Sequence, residues 1–282
     1  MQSNNPVFAR SAGFSGRAGQ SYGQQSYPAG GQGYQGYGQA PPRQGGDPST
    51  WQYPSGPTTD VEERMTIDSV VNRTAITLLI VVGVAAATWV LMPDRYLGPA
   101  WLIGAFGGLG LSFAVSFMRK VSPALVVAYA ALEGLFLGAI SEFYETAFDG
   151  VVPGAVLGTT AAFVATLAAY KFFDIQVTDK FRKYVTIAMF GFFAVIMLDF
   201  ALSFFGEAIG FTGFGPLGLI TSFVGLGIGI LMLILDFDFV ERGVAAGLPE
   251  RESWRAAFGL TVTLIWIYIN MLRILAILQS DG

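Results

Sequence analysis

The chain has 282 residues, of which 53% are hydrophobic and only 13% charged, with a mean hydropathy of +0.54, a composition of membrane proteins rather than of soluble domains of this length. It contains neither cysteine nor histidine, which excludes disulfides, thiolate or imidazole metal sites, Cys or His catalysis and histidine pH sensing. A net charge of -4 argues against a nucleic-acid partner, and any proton chemistry falls to Asp, Glu, Lys or Tyr.

Residues 1–60 form a Gly/Gln/Tyr/Pro tract, as in Ser21-Tyr-Gly-Gln-Gln-Ser-Tyr27, with almost no aliphatic residues. Such a segment buries too little apolar surface to offset its ordering entropy, so a disordered cytoplasmic tail is expected there. It reads first as an inert solvated extension and second as a weakly self-associating tail of aromatic stickers. No apolar h-region follows the start, so a signal peptide is not expected.

Residues 61–282 carry seven stretches of about 20 apolar residues, the length that crosses a bilayer: about 72–92, 98–117, 123–145, 153–170, 184–206, 216–235 and 257–278. Thr66-Ile-Asp-Ser69 is N-cap material before the first span, and Pro93-Asp94 marks its end. Short connections make neighbouring spans antiparallel, so the expected fold is an all-α, seven-helix transmembrane bundle. Arg64, Arg73, Arg119, Lys120, Lys171, Lys180, Arg182, Lys183, Arg242, Arg251 and Arg255 all fall on the N-terminal side or in alternate loops. The opposite loops carry Arg95 and the acids Glu145, Asp149 and Glu207. By the positive-inside rule the N-terminus is cytoplasmic and the C-terminus outside. Gly104-Ala-Phe-Gly-Gly-Leu-Gly110 in the second span and Gly225-Leu-Gly-Ile-Gly229 in the sixth supply surfaces for close helix approach. Neither follows a strand, so neither reads as a nucleotide-binding loop.

An ionisable group at the centre of a membrane helix costs about 2.5–3.5 kcal/mol on insertion scales and is a functional candidate by default. Glu133 lies mid-span in the third helix, where it should face the interior paired or protonated, and Glu142 lies near that span's outer end. Asp199 sits in the outer half of the fifth span, where capping a neighbouring helix is an equal alternative. Asp236 and Asp238 close the sixth span at its cytoplasmic end, about 200° apart around the helix. Asp236 is placed toward the bundle and Asp238 toward the cytoplasm or another helix, while Glu241 and Arg242 read as a solvated helix end. Asn270 shares a face of the last span with Arg273, the sole deep base, which could also snorkel outward.

The third-span segment "LEGLFLGAISEFYE", the acid ending the sixth span in "LILDFDFVERG" and the closing helix "AFGLTVTLIWIYINMLRILAIL" together resemble the Bax inhibitor-1/YccA superfamily over about residues 62–280. The resemblance implies a bundle whose last helix is central, and a pH-sensitive calcium leak. In it an aspartate of the sixth helix shares a proton with one of the seventh, and an arginine after the second helix latches onto the former. Two carboxylates a hydrogen bond apart cannot both stay ionised cheaply, and an ionised pair attracts a hard cation such as calcium. Carried over, Asp236 is the sixth-helix acid and the metal-facing residue if there is one. Arg119, or Lys120, is the latch, and the seventh-helix acid falls on Asn270, which cannot share a titrating proton. Either Asp238 or Glu133 supplies the second carboxylate or the sensor is lost. The resemblance also implies an alternative, a non-transporting regulator engaged through its tail by a membrane AAA protease. The residues offer no HExxH zinc site and no paired intramembrane aspartates, so no enzyme and no bound cofactor is expected; calcium enters only as cargo.

Overall fold

A computed structural model describes residues 63–280, so the reading of the tail at 1–60 lies outside the described residues. Those residues form seven helices: α1 (Ile67–Leu91), α2 (Asp94–Phe117), α3 (Pro123–Ala147), α4 (Val151–Phe172), α5 (Asp179–Ser203), α6 (Pro216–Ala245) and α7 (Glu252–Ser280). All seven are long and apolar enough to cross a membrane.

The starts of α1 and α5 reach further into the polar flanks than hydropathy predicts, because caps rather than apolarity set them, whereas α3 and α6 begin where expected. Thr66 accepts from Ser69 N while Ser69 returns the bond to the Thr66 amide, a reciprocal box that starts α1 at Ile67. Thr178 accepts from Phe181 N and starts α5 five residues before the expected span. The largest difference is in α6, which runs on to Ala245. Asp236 and Asp238 are therefore interior helical residues, not the end of the span.

Residues 63–66 and the loops 118–122, 173–178 and 246–251 gather on one face, called the near face; the connections 92–93, 148–150 and 204–215 form the far face. On the near face a short clasp fixes the start of α7 against that of α1. Met65 N donates to Leu248 O at 2.7 Å and Glu250 N to Glu63 O at 2.6 Å, and Arg73 pairs with Glu250 at 3.0 Å. On the far face Phe214 packs against Tyr144 and Phe148.

Helix α7 has the largest buried share of any span and occupies the centre, as the resemblance implies. Its backbone lies against α1, α3, α4 and α6, whereas α2 packs its backbone only on α3, and α5 only on α6. These two outer helices reach α7 through side chains such as Leu111 of α2, in one cluster with Phe258, and Phe192 of α5 on Trp266. Their outward faces expose Phe106, Phe113, Ile187 and Phe190, which in lipid meet hydrocarbon on both sides. The expected glycine surfaces are used: a Cβ on Gly104 would lie 2.6 Å from the Phe136 backbone nitrogen, so α2 and α3 touch main chain to main chain.

Candidate polar seam between α6 and α7

Polar residues of α7 fall into two series by their spacing. Ser253, Thr261 and Tyr268 are eight and seven residues apart, each close to two turns, and so share one face. Thr263, Trp266, Asn270 and Arg273 follow i, i+3, i+7, i+10 and share another. The first face is met by hydroxyls: Ser253 with Ser69 at 2.6 Å, Thr261 with Thr77 at 3.0 Å and Tyr268 with Ser141 at 2.7 Å. Every partner there is neutral and every pair is closed.

The second face lies along α6. Thr263 Oγ1 donates to Asp236 Oδ2 at 2.6 Å, and the other Asp236 oxygen lies over Gly259, where a Cβ would come within 3.2 Å. Further along, Trp266 Nε1 donates to Gly225 O at 2.8 Å. The Asn270 amide then fills the space that a side chain on Gly225 would need, its nitrogen donating to Trp266 O at 2.8 Å. Arg273 ends the series by donating to Phe211 O at 3.0 Å in the far-face loop. From Thr263 to Arg273 the seam covers about 15 Å of helix. Gly225 and Gly229 let the two helices close over it.

The four residues carried over as gate and sensor do not meet. Asp236 is level with residues 259–263 of α7, whereas Asn270 is level with Gly225. Thr263 and Asn270 are two turns apart, about 10 Å, because the antiparallel register of α6 and α7 places position 263, not 270, opposite Asp236. The expected Asp236–Asn270 pair is thus replaced by Asp236–Thr263. Arg119 is exposed just beyond α2 and makes no ion pair among the described residues; its carbonyl, with that of Met118, accepts from Arg255 at 3.3 and 3.2 Å.

Asp238 is buried rather than part of a solvated helix end. Both its oxygens are occupied, by Arg182 of α5 and Arg242 of its own helix, each at 2.8 Å. Arg242 also donates to the Val177 carbonyl, so this acid ties the 173–178 loop and α5 to α6. Glu241, by contrast, is exposed and holds Lys171 at 3.2 Å and the Tyr170 hydroxyl at 2.7 Å. Asp199 is fully buried and accepts from Ile209 N, Gly210 N, Thr212 N and Thr212 Oγ1 at 2.6–3.0 Å. It organises the same far-face loop that Arg273 grips. Glu133 points at α2, where a Cβ on Gly108 would lie 2.6 Å from its Oε1, with Tyr129 as polar neighbour. Glu142 lines a far-face hollow of about 850 Å³ with Asp94 and Trp101 and accepts from Thr146 at 3.4 Å.

Among the described residues no three carboxylates converge on a metal position. Asp236 and Thr263 offer fewer oxygens than the six to eight that calcium takes. Thr263 lies one heptad before Asn270, a spacing that places its hydroxyl on the same face of α7. Glu145, which caps α4 by accepting from Gly150 N and Val152 N at 2.8 and 2.9 Å, carries no sequence signal beyond its charge.

A family model described as Bax inhibitor 1 like matches residues 5–280 of the chain. A protein of Chlamydia muridarum (strain MoPn / Nigg), itself described as an uncharacterized protein, is 27% identical over 192 residues, 64% of this chain and 78% of the relative.

Proposed function

The chain belongs to the Bax inhibitor 1 like family, and on that premise we propose that this multi-pass membrane protein is a cation leak, with calcium as cargo and Asp236 as its gate. The observation that carries the reading is the pairing of Asp236. It stands within a membrane-spanning helix, on a polar seam, with a neutral hydroxyl as its hydrogen-bond partner. Asp238 has two guanidinium groups and Asp199 four donors, so their charges are spoken for, while Glu133, whose polar neighbour Tyr129 is also neutral, faces α2 away from the seam. A carboxylate left without a counter-charge at that depth attracts a cation entering the seam and releases it when protonated.

The concentration of Arg119, Lys120, Lys180, Arg182, Lys183 and Arg255 at near-face helix ends and loops supports a cytoplasmic near face, in a bacterial plasma membrane. Asp236 then lies in the cytoplasmic half of the seam and Arg273 in the outer half. In proteoliposomes loaded with a calcium dye, Asp236→Asn should lower calcium flux and flatten its dependence on pH. Flux and pH profile equal to those of the unchanged protein would rule the leak out. The Gly/Gln/Tyr/Pro composition of residues 1–60 favours a second reading, a non-transporting regulator whose tail a membrane AAA protease engages. Removing residues 1–60 would then lengthen the protein's half-life in cells.

A further inference from the structure

Helices α1 and α4 both pack against α7 and α3, yet their backbones do not approach each other. Between them lies a groove of about 440 Å³, walled by Val82 and Trp89 of α1 and Val152 and Val156 of α4, with Gly138 and Tyr268 in its floor. It runs from Trp89 and Val152 down to Leu78 and Phe163, eleven helical steps on each helix, or about 16 Å at the helical rise. That is close to one leaflet, half of a hydrocarbon core about 30 Å thick, and it lies in the far-face half of both helices.

The chemistry of the lining decides what can fill it. Ser141 and Tyr268 satisfy each other, and Thr160 gives its hydroxyl to Val156 O at 2.8 Å. Thr159 Oγ1 is the lining hydroxyl left buried without a partner. A bound water needs two to four polar partners, which the groove does not offer. An extended peptide would strand its own amides in hydrocarbon. A single hydrocarbon chain asks for no hydrogen bonds and lies lengthwise in such a slot.

We infer that the α1/α4 groove binds one acyl chain of a phospholipid from the far-face leaflet. The site is separate from the α6–α7 seam and does not depend on conduction.

The full chain, extracted from bilayers of one defined phospholipid, can be weighed by native mass spectrometry. Val82→Trp and Val156→Trp fill the groove from opposite walls; Val164→Trp, exposed on α4 outside the groove, is the control. One retained phospholipid per chain is expected in the unchanged protein and the control, and its loss in both filled variants. Retention by a folded filled variant, absence from the unchanged protein, or a second chain as the retained mass would overturn the assignment.

Discussion

The two polar faces of α7 solve the same problem in opposite ways. Toward α1 and α3, Ser253, Thr261 and Tyr268 each meet one hydroxyl, and the interface is neutral and closed. Toward α6, one hydroxyl meets a carboxylate, and an indole, an amide and a guanidinium each donate to a main-chain carbonyl. The lesson is that polarity inside a membrane does not by itself mark function. A paired hydroxyl is glue worth about 0.6 kcal/mol, whereas a charge with only a neutral partner is expensive enough to need another reason.

Substitutions can test that contrast, beginning with the one expected to do most damage. Gly225→Leu would drive a side chain into the Asn270 amide and Phe192, and overpacking of this kind costs about 3 kcal/mol. Thermal unfolding in detergent should fall accordingly, and an unchanged midpoint would mean the seam is loose. Thr263→Val removes the hydroxyl from Asp236; a hydrogen bond to a charged group is worth about 2 kcal/mol, and the same melting experiment reads it. Its sharper outcome is in flux: if Asp236 is the gate, this variant should alter calcium movement where its α1-facing counterpart Thr261→Val does not.

Arg273→Gln should loosen the far-face loop by freeing Phe211 O. Because the chain lacks cysteine, an Asn270→Cys reporter can be labelled alone with a thiol reagent, and the loss of about 1.4 kcal/mol predicts about tenfold faster labelling. An unchanged rate would show that Asp199 alone holds the loop. The smallest effect belongs to the closed face. Thr77→Val or Thr261→Val alone should cost about 1 kcal/mol, and the double variant close to nothing, since replacing both partners strands no polar group. A double variant as unstable as the sum of the singles would erase the distinction between the faces.

Much of the bundle was legible in the sequence because a membrane span is a local property. Twenty apolar residues announce themselves without reference to any neighbour, and seven such windows correspond to α1–α7. The errors lie where local apolarity and helix formation diverge. Hydropathy stops at Asp236, but α6 continues to Ala245, because Asp238 and Arg242 bond one turn apart and Arg182 covers the remaining oxygen. Asp199 and Arg273 stood out singly, yet nothing in their spacing indicated that both grip residues 209–212 of one loop.

By itself, then, the sequence determined the number of helices, the glycine surfaces on which they close and the short list of membrane-embedded acids, since each follows from periodicity or composition within one segment. Only the tertiary structure decided which acid is neutralised and which is not. The offset of α6 against α7 puts Thr263 beside Asp236 and leaves Asn270 two turns away, and the approach of α5 turns Asp238 into an ion pair. Register and docking are set by packing between segments far apart in the chain, where a displacement of a single turn exchanges one polar partner for another.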